Sequence, residues 1–428
     1  MTTELPGETR SRSLTRQRDA GPLGSPAFRL LLAARTTSIL GNAVAPIALA
    51  FAVLDLSGSP ADLGVVVASR SVANVAVLLF GGVLADRLPR GVVLVGTSLA
   101  AALTQAVVAT LVLTGSATIA SLVVLSALNG AVAAVSLPAS AALVPETVPE
   151  ELLRPANALL RLGLNGGSIV GAAAGAGIVG LVGPGWGLAV DAGGFALAGV
   201  LFTRMRLPGR PRDADGSRAS VLADLAEGWR EFAGRRWLWT VVAQFAVLNA
   251  AFVGATTVLG PVVADGSFGR AAWGLVVAAE TVGLALGAVL ALRWRPRKAL
   301  ATGVGLMAVT AVPVATLGIV PALPALLVAF ALGGVAMEVF AIAWDQSLQT
   351  HVPRDVLSRV YSYDMVGSFV AVPLGEALVG PLAQRIGTER TLLGCAVLIV
   401  GATAVAGSTR SVRQVTASAA EVAPGASS

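Results

Sequence analysis

Residues 91–114 read GVVLVGTSLAAALTQAVVATLVLT, 24 positions without one charged side chain. As an α-helix rising about 1.5 Å per residue, the run extends roughly 36 Å, enough to cross a hydrocarbon core of about 30 Å. Comparable runs recur at 28–54, 61–85, 118–144, 155–182 and 185–203, and again at 237–263, 271–293, 299–319, 322–347, 361–384 and 389–409. A membrane barrel would instead show alternating segments of about ten residues, and the chain has none of these. The expectation is an all-α integral membrane protein of 12 transmembrane helices in two pseudo-symmetric six-helix bundles.

Composition agrees. The chain is 55% hydrophobic and 13% charged, with a mean hydropathy of +0.79, whereas soluble domains run nearer a quarter charged. It has one cysteine, Cys395, and one histidine, His351. An internal disulfide is therefore impossible, and a His/Cys metal site is excluded by arithmetic. Only Lys298 is a lysine, and no Gly-rich phosphate loop precedes it, so no cofactor, metal or nucleotide motor is expected. A Ser/His/Asp triad has no basis, because the single histidine falls in a predicted loop; no enzyme activity is expected.

The net charge of +6 marks topology rather than nucleic-acid binding. With both termini inside, 25 basic residues lie in cytoplasmic segments and three, Arg270, Arg385 and Arg390, lie outside. That asymmetry supports both the even span count and the orientation, since arginines accumulate on the cytoplasmic side. Residues 1–27 read as a disordered cytoplasmic arm, 28–203 as one bundle, 204–236 as a cytoplasmic linker with an amphipathic helix, 237–409 as the second bundle and 410–428 as a disordered tail.

The halves resemble each other. Val144-Pro145-Glu146-Thr147-Val148-Pro149 with Leu153 aligns with Leu348-Gln349-Thr350-His351-Val352-Pro353 with Leu357, and Asp86-Arg87-Leu88-Pro89-Arg90 aligns with Arg293-Trp294-Arg295-Pro296-Arg297. Paired six-helix repeats suit two bundles that rock about a midplane site.

Five ionisable residues lie well inside predicted spans: Arg70, Asp191, Glu280, Glu338 and Glu376. Each costs about 2.5–3.5 kcal/mol at the bilayer centre, even on the lenient insertion scale, and so needs water, a partner or a cation. Polar residues also form stripes on every third span. They are Arg35, Ser38 and Asn42 on the first, Ser126, Asn129, Ser136 and Ser140 on the fourth, Asn249 and Thr256 on the seventh, and Glu338 and Asp345 on the tenth. Such stripes face a water-filled cavity or bond one helix to another, and both readings stay open. Asn42, Asn129, Asn249, Glu280, Glu338 and Asp345 are the substrate- or proton-binding candidates. Arg70 and Glu376 are expected to pair. The fifth span carries Gly166, Gly167, Gly171, Gly175 and Gly177, a pattern that lets helices approach closely.

Gly82-Val83-Leu84-Ala85-Asp86-Arg87-Leu88-Pro89-Arg90 resembles motif A of the major facilitator superfamily. The resemblance implies a transporter fold in which Gly82, Asp86, Arg87 and Arg90 form a cytoplasmic latch, with Asp86 capping the start of the eleventh helix. Ala48–Asp55, Pro138–Glu146, Trp344-Asp345, His351-Val352-Pro353 and Ser358-Arg359-Val360 with Tyr363-Asp364 resemble the enterobactin-exporter and macrolide-efflux branch. That implies alternating-access export of amphiphilic small molecules, by a monomer in the lipid bilayer of the cell membrane, with protons as the candidate coupling ion. Nutrient import, or a non-transporting sensor or scaffold on the same fold, are the alternatives.

Three positions depart from the pattern. Motif A ends Pro89-Arg90-Gly91 instead of Gly-Arg-Arg, the helix 4 arginine of proton-coupled exporters is absent from Ser126–Gly130, and Gly171-Ala172 replaces the Gly-Pro of the antiporter signature. Any proton carrier must then be another residue, with Glu280 or Glu338 as the choices.

Overall fold

The computed structural model describes residues 21–87, 90–141, 143–205, 221–294, 296–353 and 356–415. Every regular element among them is helical. The first half contributes α1 (Pro26–Ser57), α2 (Pro60–Arg87), α3 (Arg90–Leu113), α4 (Ile119–Ala141), α5 (Leu153–Val182) and α6 (Pro184–Thr203). The second half contributes α7 (Arg236–Gly266), α8 (Arg270–Arg293), α9 (Ala299–Ile319), α10 (Leu323–His351), α11 (Leu357–Phe369 and Val372–Ile386) and α12 (Thr388–Ser408). A separate amphipathic linker helix spans Val221–Gly234.

Eleven of these helices are long and apolar enough to cross a membrane. The twelfth is α2, a 28-residue helix that carries Asp62 and Arg70. Large apolar side chains stand exposed on many faces, among them Leu162, Leu181, Leu292 and Val397. In water such surface would drive aggregation; against lipid it is the appropriate exterior.

Three spans expected to be continuous are interrupted. In α7 a π-helical turn occupies Ala255–Leu259, just before Gly260-Pro261. In α9 a 3₁₀ turn occupies Met307–Thr310, before Pro313. α11 breaks between Phe369 and Val372, before Pro373. Proline lacks the N–H that would reach back one turn and its ring crowds that turn, so the irregularity falls N-terminal to each proline. The fourth span also ends early, at Ala141, and Pro145 opens a separate short helix, Val144–Thr147.

The described chain forms two compact units. One comprises residues up to Leu49 together with Ala76–Arg212; the other comprises Ala50–Val75 with the chain after Asp213. The boundary thus cuts α1 between Leu49 and Ala50. Within the first unit, α5 meets α1 along glycines spaced by four. A Cβ added at Gly163, Gly167, Gly171 or Gly175 would fall within 3.0 Å of Thr36, Ile39, Leu40 or Val44 respectively. Gly166 and Gly177 face open space, so only part of the glycine-rich run serves this contact. At one end of this unit Phe28, Leu31, Val93, Leu143, Val148 and Phe202 form an apolar cluster, and the Ser25 hydroxyl donates to Thr147 O at 2.6 Å.

The second unit is assembled the same way. A Cβ at Gly283 on α8 would lie 2.1 Å from Ala331 O on α10, and one at Gly334 would lie 2.2 Å from Glu280 O. Gly375 on α11 would collide with Ala250 O of α7 at 2.0 Å. These are backbone-to-backbone contacts, which leave a methyl group nowhere to go.

Gly283→Ala is therefore expected to lower the midpoint of thermal unfolding in detergent by several degrees, as overpacking of about 1–3 kcal/mol would. Gly305→Ala, where nothing lies within 4 Å of the added methyl, serves as the control. Equal midpoints for the two variants would contradict the seam.

Candidate functional site: an acidic aromatic cavity in the second unit

The close approach of α8 to α10 and of α7 to α11 leaves a space between the two pairs. A cavity of about 570 Å³ opens there, within the range of drug-sized ligand pockets. Each wall comes from one face of a helix. α7 contributes Phe245, Asn249, Phe252 and Thr256, α8 Glu280 and Leu284, α10 Glu338, Phe340, Trp344 and Asp345, and α11 Asp364, Ser368 and Phe369. The α7 residues recur at three- and four-residue steps, which is the helical period of a single stripe.

The lining is apolar except for a set of carboxyl groups and the side chains of Asn249, Thr256, Thr257 and Ser368. Five aromatic side chains, Phe245, Phe252, Phe340, Trp344 and Phe369, surround Glu280, Glu338, Asp345 and Asp364. Among the described residues no arginine, lysine or histidine joins them. Phe245 and Phe340 stack at 4.5 Å between centroids, and Phe340 in turn stacks on Trp344 at 6.1 Å. The result is a continuous aromatic strip with acidic groups around it.

The carboxyls differ in what holds them. Trp344 Nε1 donates to Asp364 Oδ2 at 2.9 Å, and the Ser368 hydroxyl donates to Asp364 Oδ1 at 3.2 Å, so both oxygens are oriented. The Tyr361 hydroxyl donates to Asp345 Oδ1 at 3.1 Å. Glu280 has no hydrogen-bond donor among the described residues, and its own backbone carbonyl is the one Gly334 packs against. The seam that joins α8 to α10 thereby fixes where the Glu280 side chain leaves its helix.

Of the sequence candidates, the structure gathers Asn249, Glu280, Glu338 and Asp345 around this one cavity. Asn249 also has a second task. Its Nδ2 donates at 2.9 Å to the carbonyl of Ser368, in the last turn before the break in α11, where helix carbonyls lack partners. Asn42 and Asn129 belong to the other unit. Asn129 is buried and donates to Thr104 Oγ1 of α3 at 3.4 Å, a bond between helices. Asn42 is half-buried on α1.

Gly82, Asp86, Arg87 and Arg90 sit at the junction where α2 ends and α3 begins, and their side chains, with Leu88 and Pro89, lie outside the described residues. Glu376 is buried on α11, takes a hydrogen bond from Ser71 and lies within electrostatic reach of Arg70. Its backbone carbonyl packs on Gly64 of α2.

Sequence reasoning missed Asp364 as a site residue, along with the aromatic strip. In the sequence Asp364 stands out only within the Tyr363-Asp364 pair that resembles the efflux branch. The available signal was spacing: Asp364 and Ser368 stand four positions apart, one helical turn, on one face of α11. A second buried acid, Asp191 of α6, is fully enclosed in the first unit. It accepts from Gln105 Nε2 of α3 and presses on the backbone of Gly41.

The fold is shared with known transporters. The nucleoside transporter NupG superposes with a TM-score of 0.73 at 15% identity, covering 90% of this chain and 100% of the other. A bacterial homologue of the human lysosomal transporter Spinster, in an inward-facing and unoccupied conformation, gives 0.70 at 16% identity, covering 91% and 97%. A D-xylose–proton symporter gives 0.65 at 14% identity, covering 89% and 96%. By sequence, the chain is 27% identical over 389 residues to the multidrug efflux pump Tap of Mycolicibacterium fortuitum, covering 88% of this chain and 94% of that protein. The Major Facilitator Superfamily model matches residues 31–376, and with the helical layout above this places the chain in that family of multi-pass membrane transporters.

Proposed function

We propose that the protein is a secondary exporter of amphiphilic small molecules, neutral or cationic, working by alternating access in the cell membrane with both termini cytoplasmic. The observation that carries this reading is the cavity, with its five aromatic side chains, four carboxyls and no cationic residue among the described lining. Aromatic faces and carboxylates both attract cations, and the aromatic strip supplies apolar contact for a flat ring system. A sugar or nucleoside site would need more hydroxyl and amide groups than Asn249, Thr256, Thr257 and Ser368 provide. Likeness to the Tap efflux pump supports the direction of transport, and the arginine distribution supports the orientation.

Protons are the proposed coupling ion, with Glu280 and Glu338 as carriers. A carboxylate facing apolar surface is costly, so Glu280, which has no hydrogen-bond donor among the described residues, must take up a proton or a cation when the cavity is otherwise empty. Purified protein in sealed vesicles tests this. Glu338→Gln and Glu280→Gln are each expected to reduce proton-driven efflux of a cationic dye by at least about tenfold, while a neutral substrate is affected less. Full efflux with unaltered gradient dependence in both variants would remove these residues from the mechanism.

Two further assignments carry over from the sequence. Asp86 is proposed to act as part of the motif A latch, so Asp86→Asn should slow transport and leave membrane insertion intact. Unchanged transport kinetics would argue against it. Arg70 and Glu376 are proposed as a functional pair, and exchanging the two residues should recover activity that either single change loses. A double variant no better than the singles would reduce them to separate structural roles.

A further inference from the structure

At the end of the second unit that carries the α8–α9 connection, cations from three parts of the chain come together. Beyond α12 the chain makes one further helical turn, Arg410–Arg413, which packs against α7 and against the first turns of α9. Register shows which residues meet there. Gln244 Nε2 of α7 donates to Thr403 Oγ1 of α12 at 3.1 Å. The two helices run in opposite directions at equal rise, so eight residues back from Gln244 and eight forward from Thr403 bring Arg236 to the level of Ser411. On α9, a Cβ at Gly318 would lie 3.2 Å from Leu392 Cβ of α12, and nineteen residues each way bring Ala299 to that level too. The Arg410–Arg413 turn therefore lies between the beginnings of α7 and α9.

We propose that this patch, built from Arg236, Arg297, Lys298, Arg410 and Arg413, binds the phosphate headgroup of an anionic phospholipid. All five side chains belong to exposed residues. Segments 236–244, 297–302 and 404–415 contain no acidic residue, and none of the five forms an ion pair with a described residue. Glu231, at the end of the linker helix, is bonded to Arg235. Clustered cations without counter-charges repel one another, and a phosphodiester placed among them relieves that repulsion through charge-assisted hydrogen bonds.

Two observations separate a built site from arginines that merely mark the cytoplasmic side, for which a loose tail would serve. First, the terminal turn is held in place: Val412 and Val415 are buried, and Arg413 Nε donates to Gly407 O at 2.6 Å. That bond also satisfies a carbonyl near the end of α12, where a cation suits the helix dipole. Second, the patch continues into an apolar stripe. Trp237 and Leu238 are buried, which turns Arg236 and Trp239 outward together, three positions apart on one face. Trp239 is 42% exposed, and exposed Ala243 and Val247 extend the same face deeper along α7. An indole one turn below a cation is the arrangement of the headgroup level, where the ring meets acyl chain and the charge meets phosphate. A soluble phosphate would engage the cations alone and leave Trp239 without a role. The lipid seated on Arg236 also braces a wall of the cavity, because Trp237 packs edge-on against Trp344 at 5.7 Å.

The test reads lipid retention and needs no substrate, so its outcome is separable from the exporter reading. The purified full chain in neutral detergent receives equal amounts of phosphatidylglycerol and phosphatidylcholine with the same acyl chains, and native mass spectrometry counts the lipids that stay bound. The parent is expected to retain phosphatidylglycerol in preference. Lys298→Gln with Arg410→Gln should lower that preference by about fivefold for each charge removed. Arg385→Gln with Arg390→Gln removes two charges from the opposite end of the same unit, and should leave the preference at the parental value. Should the first pair fail to fold, Arg236→Gln, on another helix, carries the same test. No preference in the parent, or equal losses in the two pairs, would overturn the site. Displacement of the bound lipid by glycerol 1-phosphate at equal concentration would also overturn it, by assigning the cations to a soluble phosphate.

Discussion

Lipid gives apolar helices no solvent-driven reason to associate, because a leucine facing another helix is no drier than one facing an acyl chain. Association must then come from contacts that lipid cannot reproduce, chiefly the approach of one backbone to another. The seams of this protein meet that constraint with glycine. Gly171 lies against Leu40 O, Gly283 against Ala331 O and Gly375 against Ala250 O, each at a distance that forbids a side chain. The rest of the structure follows from where those seams fall.

The cavity illustrates this. Where α8 grips α10 through Gly283, Gly287 and Gly334, the two backbones meet and their side chains are turned aside. Where α7 grips α11 through Gly254 and Gly375, the same happens on the facing pair. Between the seams the side chains of Phe245, Phe340, Trp344, Glu280 and Asp364 have room to converge. The three proline-linked irregularities add local freedom within otherwise regular spans, and one of them, the break in α11, follows directly after the Asp364–Ser368 turn.

Much of the fold was legible in the chain because the bilayer imposes length and polarity rules that act locally. Span positions and the odd charges, Glu280 and Glu338, stand out against an apolar background in any window. What escaped were facts that depend on rotation and on partners. Asn129 and Asn249 could each face a cavity or bond a neighbouring helix, and nothing in a single helix reveals whether an amide finds water or a carbonyl; Asn249 both lines the cavity and bonds α11, while Asn129 bonds α3. Asp364 escaped because its importance comes from Trp344 and Ser368, one of them 20 positions away in sequence. The interruptions in α7, α9 and α11 could have been placed from Pro261, Pro313 and Pro373; a hydropathy reading passes over proline because the spans remain apolar across it.

A lining that is acidic and carries no opposing charge among the described residues also bears on voltage. Moving one elementary charge through 100 mV is worth about 2.3 kcal/mol. A carrier that exchanges one proton for one monovalent cation moves no net charge, so only the pH difference drives it. With two protons per cation, the same carrier draws on the potential as well. Four carboxyls in one cavity supply more proton sites than a single exchange requires. In the proposed proton-coupled export, the number of them that load in each cycle would determine whether the membrane potential helps to empty the cavity.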